Sequence, residues 1–267
     1  MIKRYRIEPG QRVRLSDIPA DDTGKYDSRD DADKDLAQDL ERMFELQNRL
    51  YAENARALLV ILQGMDAAGK DGTVAHVFRG LNPQGCNVSV FGAPSTRELH
   101  HDYLWRIHRA MPRFGNIGIF NRSHYEDVLA VRVRGLVPKS VWSRRYEQIN
   151  AFERMLAENN MTILKFYLHV SKEEQHKRLA ERLKDPRKNW KFAPSDLEDR
   201  ARWKDYRQAY EDALEKCSTE WAPWFVVPAD YKWYRNLVVA RIIVKTLAEM
   251  APKIPRPKID VSKVELN

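Results

Sequence analysis

The chain has 267 residues, 43% of them hydrophobic, enough to bury one large core and to set the expectation of a single α/β domain with appendages. Its formal net charge of +8 points to a polyanionic partner, and nucleic acid, nucleotides or inorganic phosphate chains all satisfy that electrostatics. No apolar run approaches the about 18 residues that would suggest a membrane span, and the opening MIKRYRIEPG lacks the apolar stretch of a secretory leader, so neither is expected.

Residues 1–30 are rich in Asp, Pro and Arg without a sustained period, and read as an irregular arm on the surface or on a partner subunit. Over residues 31–53, Leu36, Leu40, Met43, Phe44 and Leu50 recur at helical spacing, with Gln47 the polar interruption of the stripe. This predicts an amphipathic helix that covers a sheet or meets another subunit.

Residues 58–73 read LLVILQGMDAAGKDGT, an apolar run followed by G-x-x-x-x-G-K and a helical segment over 74–80. Strand, glycine-bearing loop, lysine and helix cradle phosphate: loop N–H groups point inward, the helix N-terminus adds partial positive charge, and the lysine adds a full one. The predicted loop residues are Gly64, Ala67, Ala68, Gly69, Lys70, Asp71 and Gly72. The plainer alternative is a tight strand-to-helix turn with Lys70 solvated. Asp71 stands where a Ser or Thr hydroxyl would help hold Mg²⁺, which moves the metal question to carboxylates. Asp66, inside the loop, is the candidate, because a carboxylate beside bound phosphates is tolerable only with a cation between them.

Residues 87–91 (NVSVF) alternate as a second strand, and Cys86 beside it and Cys217 are isolated, without C-x-x-C spacing. That usage fits a reducing cytoplasm rather than a disulfide framework or a metal cluster. A helix is expected over 97–111, carrying three arginines and three histidines that lack H-E-x-x-H spacing, so zinc is not expected. Residues 117–121 (IGIFN) are the third strand, running into Arg122-Ser123-His124-Tyr125-Glu126-Asp127. Ligands of open parallel sheets bind beyond the carboxyl ends of strands, and an arginine followed by paired carboxylates there fits phosphate capture and metal coordination. A surface turn of solvated charges is the alternative. Arg132, Arg134 and Lys139 extend the basic character, and residues 140–159 predict another helix.

Residues 162–170 (TILKFYLHV) are the fourth strand, and Ser171-Lys172-Glu173-Glu174 is a capping box for the next helix. Arg178 and Arg182 stand four apart on one face of it. Residues 184–191 (KDPRKNWK), with Lys184 and Lys188, are either a solvated charge run or a basic flap over a phosphate site. A helix over 195–216, a fifth strand over 224–227, an apolar helix over 233–250 and a proline-bearing irregular tail over 251–267 complete the chain. The alternation predicts a P-loop kinase-like three-layer α/β fold: a five-stranded parallel sheet with helices on both faces, in one domain over 31–250.

Three stretches together resemble the polyphosphate kinase 2 family: GMDAAGKDG from Gly64 to Gly72, FNRSHYEDV from Phe120 to Val128, and the basic helix and flap from Glu174 to Lys191. The resemblance spans residues 30–250 and implies a helical lid around 171–210. It implies Mg²⁺-dependent, reversible phosphoryl transfer from inorganic polyphosphate to ADP, and to AMP, giving ATP. By position, Asp66 matches the loop carboxylate that holds Mg²⁺ and Lys70 the phosphate-binding lysine. Arg122 matches the arginine after the third strand, and Arg178 and Arg182 look like lid cations that stabilise the transition state.

The commonest family pattern is F-D-R-S-W-Y-N; Asn121 stands here in place of the acid and Glu126 in place of the final Asn. That resembles the subgroup acting on both nucleoside mono- and diphosphates, and implies Asp127 as the second metal-binding carboxylate, with the division of roles between Glu126 and Asp127 open. Glu126, Arg132, Arg134, Lys184 and Lys188 are the residues expected to meet nucleotide or polyphosphate. The expected partners are polyphosphate and adenine or guanine nucleotides, without nucleic acid or membrane, in a cytoplasmic homodimer or homotetramer. Two rivals remain: an ATP-dependent nucleoside or nucleotide kinase of the same fold, and a non-enzymatic nucleic-acid-binding P-loop protein. No helix-turn-helix, RRM or zinc-finger signature favours the latter.

Overall fold

In the computed structural model, residues 2–259 and 264 are described. In chain order the principal elements are β1 (Arg6–Ile7), α1 (Arg29–Glu53), β2 (Ala57–Gln63), α2 (Lys70–Val77), β3 (Cys86–Val90) and β4 (Ile117–Asn121). There follow α3 (Arg145–Glu158), β5 (Met161–His169), α4 (Lys172–Lys184), α5 (Pro194–Ala201), α6 (Trp203–Cys217), β6 (Trp224–Pro228) and α7 (Lys232–Met250). The strands form one sheet in the order β1-β6-β5-β2-β4-β3.

All seven residues of β2 are buried, as its continuous apolar run requires of a strand covered on both faces. Leu58, Val60 and Leu62 belong to one core, and Ala57, Leu59 and Ile61 to the other, so the period of two separates the layers. β2 pairs in parallel with β4 and β5, β4 with β3, and β5 with β6. Because β3 lies outside β4, the chain order reverses next to β2, and the crevice for a ligand opens beyond the carboxyl ends of β2 and β4.

The sheet has six strands rather than five, and it is mixed. β1 pairs antiparallel with β6, with Arg6 opposite Phe225 and Ile7 opposite Trp224. The N-terminal arm is therefore not irregular throughout: it opens with a helical turn at Ile2–Tyr5, adds this strand, and buries Tyr5, Ile7, Val13 and Leu15. The Ser218 hydroxyl donates to the Ile7 carbonyl at 2.6 Å, closing the strand against the body. A two-residue strand carries too little period to be read from sequence.

α1 begins at Ser28, whose hydroxyl accepts from the Asp31 N–H, and ends at left-handed Asn54. Gln47, polar within the stripe, is fully buried, and its amide makes both bonds it needs to the Asn82 backbone, at 2.8 and 2.9 Å. Arg241 of α7 ties α1 down through Asp35 at 3.0 Å and Asp39 at 2.9 Å. Three expected helices are interrupted. Residues 97–111 divide into Thr96–Leu99 and Trp105–Arg109, between which the Asp102 carboxylate accepts from the Leu104 N–H. Residues 140–159 divide into Lys139–Trp142 and α3, and 195–216 into α5 and α6. Residues 251–259 and 264 contain no helix or strand; the rest of the tail lies outside the described residues. No helix among the described residues is long and apolar enough to cross a membrane.

Candidate active site

β2 delivers the chain into a loop with positive φ at Gly64 (155°), Ala67 (61°) and Gly69 (105°). A side chain at Gly64 would stand 2.9 Å from the Leu168 carbonyl of β5, so the sheet itself demands glycine there. Lys70 opens α2 and is buried; its ammonium donates to the carbonyls of Gly64 at 2.7 Å and Met65 at 3.2 Å. Burial, then the charge of Arg122, lowers its pKa from the ordinary lysine value. Asp71 does not stand in for the missing hydroxyl by facing inward. One oxygen accepts from the Asn121 amide at 2.7 Å and the other from Lys191 of the flap at 3.3 Å.

β4 delivers Arg122, a non-glycine residue at φ 63°, a strained conformation of the kind that accumulates at functional sites. Its N–H is held by the Leu62 carbonyl at 3.0 Å, and its guanidinium meets Asp66 at 2.9 Å. A 3-10 turn, His124–Asp127, follows, capped by the Ser123 hydroxyl. The Gln63 amide, with its nitrogen toward Glu126 at 3.1 Å, accepts from the Ser123 hydroxyl and N–H. Burial raises the pKa of Glu126, and the charges of Arg122 and Lys70 oppose that rise.

Beneath the turn lies a buried network. Lys165 donates to the Tyr125 hydroxyl (2.8 Å), Glu153 and the Cys217 carbonyl (2.6 Å), while Glu153 also meets His124 (3.2 Å) and Tyr125 (2.9 Å). Lys165, Glu153, His124 and Tyr125 are all fully buried, so this network sets the height of the turn under Glu126 and Asp127.

Above the loop and turn opens a cavity of about 810 Å³ whose wall includes Asp66, Arg122, Glu126, Arg106, Arg134 and Arg145. Asp66, Arg122 and Glu126 line it together, and buried Lys70 interacts electrostatically with all three. Asp127 lines the same cavity, where Arg145 donates to its carboxylate at 2.9 Å and to its carbonyl at 3.1 Å, and burial raises its pKa against the charges of Arg145 and Arg106. Glu126 feels the charge of Asp66, whereas the groups acting on Asp127 are Arg145, Arg106, His124 and Glu126. Asp66, Glu126 and Asp127 thus share one cavity wall. Among the described residues no three His, Cys, Asp or Glu side chains form a metal cluster. Two carboxylates nonetheless suit Mg²⁺, which binds through one or two carboxylates and completes its shell with waters and substrate phosphates.

The expected lid cations are engaged with protein partners. Arg178 is buried and all its donors are used: Glu174 (2.8 Å), Ala67 O (3.0 Å), Ala68 O (3.1 Å), Ala229 O (2.6 Å) and Asp230 O (2.8 Å). It braces the loop rather than facing the cavity. Arg182 pairs with Asp196 at 3.0 Å, and Arg132 is tied to Asp212 (2.6 Å) and the Tyr146 hydroxyl (3.0 Å), outside the cavity wall. Arg134 lines the cavity while paired with Asp199 at 2.7 Å. Lys184 and Lys188 are on the exposed side of the flap, Lys188 paired with Asp185 at 3.0 Å. Sequence reasoning missed Arg106 and Arg145 in the cavity wall, Gln175, whose amide donates to the Asp66 carbonyl at 2.9 Å, and the buried network. A lysine inside the apolar run TILKFYLHV was the available signal for that network.

The sequence model of the polyphosphate kinase 2 family matches residues 26–255. An AMP/ADP-polyphosphate phosphotransferase of Meiothermus ruber is 51% identical over 264 residues, spanning 98% of this chain and 99% of its own. An ADP-polyphosphate phosphotransferase of Rhodopseudomonas palustris is 44% identical over 95% of this chain and 92% of its own. Among solved structures, polyphosphate kinase 2 from Arthrobacter aurescens TC1 superposes with a TM-score of 0.92 at 43% identity, covering 96% of this chain and 92% of that one. With the glycine loop and the Arg122 turn converging on one cavity, and with relatives matched over nearly their full length, the chain belongs to the polyphosphate kinase 2 family.

Proposed function

We propose that this protein transfers the terminal phosphoryl group of inorganic polyphosphate to ADP and AMP, reversibly and with Mg²⁺, giving ATP. The observation that carries the reading is the convergence of Arg122, Asp66 and Glu126 on one cavity walled by further arginines, with buried Lys70 in charge interaction with all three. The loop N–H groups and Lys70 hold phosphate oxygens at the point of transfer, and Arg122 lies where charge gathers on the transferring group. Asp66 and Glu126 would hold Mg²⁺, which when bound offsets charge on the phosphates. The acceptor is itself a phosphate of low pKa, so no side chain need act as a strong base, and the work is positioning.

Residues 171–210 act as a lid on the domain of residues 31–250, a role supported by the reach of Lys191 to Asp71 of the loop. A cytoplasmic setting is supported by two free cysteines, and a homodimer or homotetramer by the exposure of Phe44 on α1. Guanine nucleotides are proposed as further acceptors.

The test is ATP formation from ADP, and separately from AMP, with long-chain polyphosphate and Mg²⁺. Product from both supports the reading; product from ADP alone keeps polyphosphate as donor and removes AMP. No product from either, together with ADP release from ATP on a nucleoside or nucleotide, would replace it with an ATP-dependent kinase.

A further inference from the structure

Arg235, in the first turns of apolar α7, is 2% exposed and lies directly behind the phosphate loop. Its Nε and Nη2 donate to the Asn236 amide oxygen at 3.1 and 2.8 Å, and its Nη1 to the Ala68 carbonyl at 3.3 Å. The charged group acting on it is Arg178, of the same sign; burial first, and Arg178 second, bring its pKa down to about 9. Arg178 has Glu174 at 2.8 Å, but Arg235 has no carboxylate in an ion pair among the described residues. A buried charge without a counter-charge is unfavourable and calls for a reason.

The loop is shaped around this guanidinium. A side chain at Gly69 would meet Nη1 at 1.8 Å, and one at Gly72 would meet Nη2 at 3.3 Å. Both glycines of the G-K-D-G segment therefore make room for Arg235, an explanation for Gly72 that turn geometry alone does not provide. Arg235 and Arg178 both draw the Ala68 carbonyl backward. In a planar trans peptide the N–H points opposite its C=O, so the Gly69 N–H is turned forward, toward the phosphate side.

We propose that Arg235 is a positioning residue whose uncompensated charge is held behind the loop to strengthen its grip on an anionic phosphate chain, at the expense of the stability of the empty protein. The inference rests on the loop being the phosphate site of the proposed reaction. A bound polyanion supplies the counter-charge that the empty protein lacks.

The test uses the full chain with Arg235→Met, which keeps the stem and removes the charge, and Arg235→Lys, which keeps the charge. Inorganic tripolyphosphate is titrated by calorimetry without nucleotide, and thermal unfolding is followed without ligand. Arg235→Met is expected to bind tripolyphosphate about tenfold more weakly, the size of one charge lost at about 10 Å in a partly screened site. The KM for polyphosphate should rise by a similar factor with kcat nearly unchanged, and the empty variant should melt no lower than the wild type. Arg235→Lys should stay within about threefold of wild-type binding. Undiminished binding by Arg235→Met, a melting point well below wild type, or equal losses in both variants would each overturn the proposal. Failure of the wild type itself to bind tripolyphosphate would instead remove the phosphate-site reading on which it rests.

Discussion

Replacing Arg178 by methionine separates a brace from a transition-state cation, because the two roles move different observables. The guanidinium spends its donors on the carbonyls of Ala67, Ala68, Ala229 and Asp230 and on Glu174, at 2.6 to 3.1 Å. Methionine preserves much of the stem's packing and removes every donor. Hydrogen bonds from a charged donor are worth about 1.5–3 kcal/mol each, and an orphaned buried carbonyl costs about 1–3 kcal/mol. Ala68 keeps Arg235 as a donor at 3.3 Å, and desolvation of the arginine itself is relieved. A net loss of about 4 kcal/mol follows, near the upper end for single substitutions. For a chain of this size that lowers the melting temperature by about 10 °C. Loosening the loop by about 1 Å would also reduce turnover about a hundredfold. The assay is thermal unfolding of the unliganded variant beside its kcat with saturating polyphosphate and ADP. A variant that melts with the wild type while kcat collapses would refute the brace and return Arg178 to the reacting phosphates.

The buried pair under the site turn gives a second prediction. Lys165→Met removes the lysine counter-charge from Glu153, leaving it His124 and Tyr125, and should destabilise by about 3–5 kcal/mol, with Lys165→Met/Glu153→Leu recovering at least half in urea unfolding. Asn121→Asp places a carboxylate against Asp71, now 2.7 Å from the Asn121 amide; with Asp71 well exposed, a loss of about 1–2 kcal/mol is expected. Adding Asp71→Asn should restore it in a double-mutant cycle. His169 faces the Ile18 carbonyl through Nε2 at 3.0 Å and leaves Nδ1 buried without a partner; burial pulls its pKa below the usual 6.5. The unfolded state then takes up the proton more readily, so stability is full above about pH 6.5 and declines as pH falls below it. His169→Asn should flatten that decline in melting curves across the same range.

Hydrophobic period, glycine and charge spacing were enough to read the centre of this protein. The run ALLVILQ has no polar face, so it had to be an interior strand, and G-x-x-x-x-G-K behind it had to turn sharply into a helix. Those are local constraints, written in adjacent residues. The antiparallel β1 was illegible because Arg6 and Ile7 are defined as a strand only by Phe225 and Trp224, more than two hundred residues away.

The same distinction divides the site. Glu126 and Asp127 are neighbours in sequence and chemically alike, and no spacing rule says which faces the loop. The 3-10 turn sets Glu126 beside Arg122, and Arg145, eighteen residues on, engages Asp127 on the same cavity wall. Arg178 and Arg182 read as cations free to meet phosphate because sequence shows charge and not its partners; packing gave their donors to carbonyls and to Asp196. Adjacent residues alone placed a glycine-bearing loop and its lysine at the end of a buried strand. Packing settled which charges line the cavity above that loop, because a charged group's role is set by the distant atoms that neutralise or expose it.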